Sequence, residues 1–252
     1  MKISISCPEI SCLAKQEILI SDFVDEYIYK LNCSCGHENK ILLKNLKHDV
    51  LFTISLNAIH DGYFREAIAS LSASLERYYE FIIHLFMSTQ KTNNECVLFD
   101  DANNIQTDND YYWKLMSSQS ERQLGAFIAL WAFKFGEKPK LLNPNNNYGV
   151  KLRNEVVHKG KIPTRDECIR FGDAVLDIIR YCENKTSNDY NRTRVDLIFE
   201  KVRKIEKDSI LTISSALDDA LNSEMSFLDC IERQHQIRKI MLNKSSVLKE
   251  YV

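Results

Sequence analysis

The stretch Ala67-Ile-Ala-Ser-Leu-Ser-Ala-Ser-Leu-Glu-Arg-Tyr-Tyr-Glu-Phe-Ile-Ile-His-Leu-Phe86 decides the fold class. Its large apolar residues fall at Ile68, Leu71, Leu75, Tyr78, Ile82 and Leu85. The steps alternate between three and four, which puts one apolar stripe on an α-helix about 25 residues long. A shorter helix, Asp49 to Ile59, is predicted before it, across the Asp61-Gly62 turn.

Helical spacing continues downstream. Leu124, Phe127, Ile128, Trp131 and Phe135 share a face of a predicted helix from Ser120 to Phe135. Pro139 and the asparagine run to Asn147 favour turns. The next helix, Tyr148 to His158, should stop at Gly160, a residue suited to the left-handed cap. Thr164-Arg-Asp-Glu167 is a capping box that opens a helix to about Cys182, with Phe171, Val175, Ile178, Ile179 and Cys182 inward. Asn184 to Asn191 reads as a polar linker. Val195, Ile198, Val202 and Ile205 mark another amphipathic helix, and one or two more fill Ser209 to Met241.

Composition agrees with this reading. Glycine and proline together are only eleven of 252 residues, roughly a third of average usage, which disfavours sandwiches, barrels and Gly-rich nucleotide folds. Hydrophobic residues at 44% supply a sizeable core, and a net charge of −2 gives no global pull toward nucleic acid. No run of about 18 apolar residues is present to span a membrane. The opening MKISISCPEI lacks a secretory pattern, so a cytoplasmic location and reduced cysteines are expected. Residues 91–110 carry Glu95, Asp100, Asp101, Asp108 and Asp110 but do not follow EF-hand spacing, and read as an exposed loop.

The first 45 residues differ. Lys2 to Ser6, Glu26 to Leu31 and Lys40 to Leu43 read as short strands beside Cys7, Cys12, Cys33 and Cys35. Two close cysteine pairs on such runs resemble the knuckles of a zinc ribbon, which implies a structural zinc on those four residues. The spacing departs from the usual C-x2-C, being C-x4-C and C-x-C, and His37 offers a substitute ligand. The alternative is four reduced thiols in a small sheet. The expected architecture is therefore mainly α: a β, ribbon-like unit over 1–45, a helical bundle over 46–184 and a helical extension over 185–252.

The segment Lys151-Leu-Arg-Asn-Glu-Val-Val-His-Lys-Gly160 carries the chemistry. Asn154 and His158 are four apart and share a helix face. Arg153 lies about 140° around the helix from His158, so one helix makes an incomplete site. From Lys134 to Arg170, nine Lys or Arg face four Asp or Glu, a local excess that attracts phosphates. Glu76 and Glu80 on the long helix are candidates to orient Arg153, and Tyr148 to stack on a base.

Arg153-Asn154-x-x-x-His158, with the preceding helical pair, resembles the signature of the HEPN superfamily over Lys47 to about Cys182. The resemblance implies a helical bundle that dimerises through this region. It further implies a metal-independent endoribonuclease with Arg153, Asn154 and His158 as catalytic residues, in a toxin-antitoxin or phage-defence setting, controlled by an antitoxin or other regulator. Histidine suits proton removal from a ribose 2′-OH, and a planar guanidinium suits the phosphorane. Expected products are a 2′,3′-cyclic phosphate and a 5′-OH. Two rivals stand beside this: a non-catalytic RNA- or nucleotide-binding module, and an adaptor that uses the ribbon and tail for protein contacts.

Overall fold

The structure is a computed structural model that describes residues 2–6, 15–19, 28–32, 36, 38–43, 46–93, 113–116, 119–187, 189–190, 193–194, 197, 210–211 and 216–247. The fold is mainly helical. The main helices, in chain order, are α1 (Lys47–His60), α2 (Phe64–Asn93), α3 (Ser120–Phe135), α4 (Val150–Lys159), α5 (Arg165–Thr186), α6 (Ala216–Asn222) and α7 (Phe227–Val247).

Helix α2 is the hub. It packs against α1, α3, α4 and α5. All six residues of its expected stripe are buried, and so are Ala67, Tyr79, Ile83 and Phe86. The apolar surface is therefore wider than one stripe, as a helix with neighbours on several sides requires. Each large apolar side chain among these contributes about 1.5–3 kcal/mol by leaving water. Aromatic contacts tie α3 to this hub: Phe127 stacks on Tyr79 at 4.3 Å between ring centroids, and Trp131 and Phe135 both meet Phe86.

Helix α5 follows its sequence signals. The Thr164 hydroxyl accepts the Glu167 backbone N–H at 3.2 Å, and the Glu167 carboxylate accepts the Thr164 N–H at 2.8 Å. Its five expected core residues are all buried, though the helix runs on to Thr186 instead of ending near Cys182.

Packing continues beyond residue 184. Tyr190, in the stretch read as a polar linker, is buried against Phe86 at 5.3 Å. Arg194 pairs with Glu183 at 2.5 Å. Leu217, Ala220, Phe227, Cys230 and Ile231 join the same core as α2 and α5. The polar composition of 184–191 concealed this, because one aromatic residue anchors the segment.

The described residues also include short strands. Strands β1 (Lys2–Ser6) and β2 (Lys15–Leu19) pair antiparallel, as do β3 (Ile28–Asn32) and β4 (Glu38–Leu43), and β5 (Ile210–Leu211) runs parallel to β4. No helix among the described residues is long and apolar enough to cross a membrane.

Candidate active site

Helix α4 presents the site. Leu152 and Val156, four apart, are fully buried and fix which face turns inward. The residues between them and beyond them, Arg153, Asn154 and His158, are left toward the surface. Both helix ends are set by glycines. A Cβ at Gly149 would come within 2.2 Å of the Asn143 carbonyl oxygen, so the asparagine loop closes on the helix only with glycine there. Gly160 takes the left-handed conformation (φ 73°), which ends the helix as expected.

One guanidinium gathers the site. Arg153 Nη1 lies 3.0 Å from His158 Nε2 and 3.1 Å from the Asn154 side-chain oxygen. Its Nη2 donates to Glu76 Oε1 at 3.0 Å, from α2. The angular gap of about 140° expected between Arg153 and His158 is bridged by the length of the arginine side chain. A single chain thus brings the two groups together. Asn154 accepts from Arg153 rather than bonding His158, so its hold on the imidazole is indirect. Of the two candidate carboxylates, Glu76 takes Arg153, while Glu80 is engaged by Arg77 at 2.6 Å.

The hydrogen-bond roles follow from chemistry. Arginine only donates, so His158 Nε2 is the acceptor and its proton sits on Nδ1. Both Nη1 hydrogens are committed. Of the five N–H donors of a guanidinium, Nε–H and one Nη2–H have no acceptor among the described residues and remain for a ligand. Arg153 and Glu76 are partly exposed, 24% and 32% for their side chains, so solvent and solutes reach the pair.

The surrounding charge is less positive than the sequence count. Arg153, Lys140, Lys161 and Arg170 are paired with Glu76, Asp177, Glu155 plus Glu167, and Asp166 respectively. Lys151 donates to Asn147 at 3.2 Å and has no carboxylate partner among the described residues. Tyr148, proposed to stack on a base, is instead covered by the Arg170 guanidinium at 4.7 Å.

Sequence reasoning missed Lys161. It bridges Glu155 on α4 (3.3 Å) and Glu167 on α5 (2.7 Å), locking the turn just after His158. The spacing straddles a helix break, so no helical pattern could flag it. The Glu167 hydrogen bond raises the Lys161 ammonium above its ordinary range, and the same bond, with the Thr164 N–H, lowers Glu167.

The remaining candidates fall elsewhere. Cys7, Cys12, Cys33, Cys35 and His37 lie outside the described residues, as do the acidic residues Glu95 to Asp110. Among the described residues no group of three or more His, Cys, Asp or Glu is placed to hold a metal. Cys168, Cys182 and Cys230 are buried free thiols. His60 and His235 meet each other at 3.2 Å, and His84 packs on Trp113.

Comparisons of the chain with family models, with curated proteins and with solved structures find no match.

Proposed function

We propose that the chain is a HEPN-type endoribonuclease that cuts RNA without a catalytic metal. The observation that carries this reading is the 3.0 Å approach of Arg153 Nη1 to His158 Nε2 on an exposed helix end. Neutral His158 takes the proton from a ribose 2′-OH. The 2′-oxygen attacks the adjacent phosphorus, the P–O5′ bond breaks, and the 5′-oxygen takes up a proton. The free N–H donors of Arg153 stabilise the charge that develops on the phosphorane. Products are a 2′,3′-cyclic phosphate and a 5′-OH, and DNA, lacking the 2′-OH, stays intact.

In this reading Asn154 is a positioning partner of Arg153. The active form is a homodimer that sets two such helices face to face. The N-terminal β, ribbon-like unit binds a structural zinc through Cys7, Cys12, Cys33 and Cys35 and selects the substrate or a partner. The setting is cytoplasmic, as a toxin or phage-defence effector held in check by an antitoxin or other regulator.

The test is incubation of the purified chain with RNA in EDTA, with identification of the new ends. Cyclic phosphate ends that vanish in Arg153→Ala and in His158→Ala support the reading; full activity in His158→Ala ends it. One observation favours a binding-only module instead: Nε2 is already occupied by Arg153. That alternative predicts RNA that is retained by the protein and left whole.

A further inference from the structure

We infer that the Arg153–His158 contact caps the base in the resting state, that a phosphodiester opens it, and that Glu76 is the positioning residue that keeps Arg153 over the site throughout. This rests on the endoribonuclease reading in taking the ligand to be a phosphodiester of RNA.

The cap is a matter of lone pairs. An imidazole nitrogen that accepts a hydrogen bond from a guanidinium has no electron pair left for a 2′-OH proton. His158 Nε2 is in that position, 3.0 Å from Arg153 Nη1. Proton removal therefore requires the contact to open. Phosphate oxygens are anionic and accept charge-assisted hydrogen bonds from a guanidinium more strongly than a neutral imidazole does. An entering phosphodiester thus competes for the Nη1–H that His158 holds. Once Nη1 turns to the phosphate, Nε2 accepts the 2′-OH proton and, with Nδ1–H in place, becomes an imidazolium.

Glu76 decides where Arg153 stays. Its bond to Nη2 is charge-assisted at both ends and comes from a different helix. That helix is fixed there by buried Leu75 and Tyr78 on either side of Glu76 in the chain. The adjacent Arg77 spends its own donors on Glu80 at 2.6 Å and Gln123 at 3.0 Å, so it does not compete for Glu76. With Nη2 anchored, the guanidinium pivots between imidazole and phosphate instead of swinging to solvent.

Tautomer state is the direct readout. In full-length protein with isotope-labelled histidine, the His158 resonances, assigned by their loss in His158→Ala, are expected to report the Nδ1–H tautomer. Dimethyl phosphate, an uncleavable phosphodiester, removes the hydrogen-bond shift at Nε2 while Nδ1–H persists, and Arg153→Ala removes it without any ligand. Glu76→Gln keeps the fold by circular dichroism yet lowers kcat on RNA by about 10²-fold with little change in KM, the scale of a misplaced catalytic group. Glu76→Asp recovers part of that rate. An Nε2–H tautomer in the unliganded wild type, or a Glu76→Gln variant equal to wild type in both readouts, overturns the inference. An Nε2 response to dimethyl phosphate without RNA cleavage leaves the cap standing and removes the nuclease reading; cleavage without that response does the reverse.

Discussion

The ring of Phe227 occupies the space that a side chain at residue 172 would need: a Cβ on Gly172 would come within 2.2 Å of it. The close approach seats α7 on α5, and Phe227 reaches on to Phe52 of α1 at 5.6 Å. Gly172→Ala is therefore expected to destabilise the fold by about 1–3 kcal/mol through overpacking. Phe227→Ala should cost about 3–5 kcal/mol through the cavity it leaves. Urea unfolding of each variant checks both, and a Gly172→Ala protein as stable as wild type would show that α7 seats differently.

Replacement of Arg153 by lysine separates charge from shape. Lysine keeps the positive charge but has no planar fork to serve Glu76, Asn154 and His158 together. Arg153→Lys should lose about 10²–10³ in cleavage rate, as when one donor to a transition-state oxyanion is removed. Initial rates on a defined RNA in EDTA measure it.

Acid should weaken the junction of α4 and α5. Lys161, first, and the Thr164 N–H hold the Glu167 carboxyl below its ordinary range. The folded pKa lies below the unfolded one, so this contribution is present above the ordinary glutamate pKa and is lost as pH falls through the folded value. Denaturant midpoints taken at decreasing pH should fall less steeply in Glu167→Gln than in wild type. Thr164→Ala, which removes the other half of the cap, should cost about 1 kcal/mol at neutral pH.

Three thiols should be silent in the native protein. Burial pushes Cys168 and Cys182 up to about 12 and Cys230 up to about 11. At neutral pH each is a thiol, and the thiolate is the reactive form. Alkylation and subsequent peptide mapping should leave these three unlabelled in the folded chain and label them after denaturation. Rapid native labelling of Cys182 would contradict its placement under α2.

Much of the bundle was readable because local rules coincide with the tertiary outcome. The three-four spacing of α2, the Thr164–Glu167 box and the Gly160 stop each need only neighbours in sequence. The long-range partners were not readable. Nothing near Gly172 in sequence names the Phe227 ring that packs on it. Tyr190 sat among polar residues and looked like linker. At the site, Arg153, Asn154 and His158 stood out by spacing, and Glu76 was one of two equivalent carboxylates a turn apart. Only the packing of α4 on α2 separates them, 77 residues along the chain from Arg153.

The left-handed turn at Gly160 has a consequence for the imidazole two residues earlier. His158 stands in the terminal turn of a ten-residue helix, where fraying is easiest. Its steadiness is thus borrowed from the residues beyond the turn: the Lys161 N–H closing on the Glu155 carbonyl at 3.1 Å and the ammonium strapped to two carboxylates. Changes at residues 160–167 that never meet a substrate should accordingly tune the rate by loosening the perch of the base.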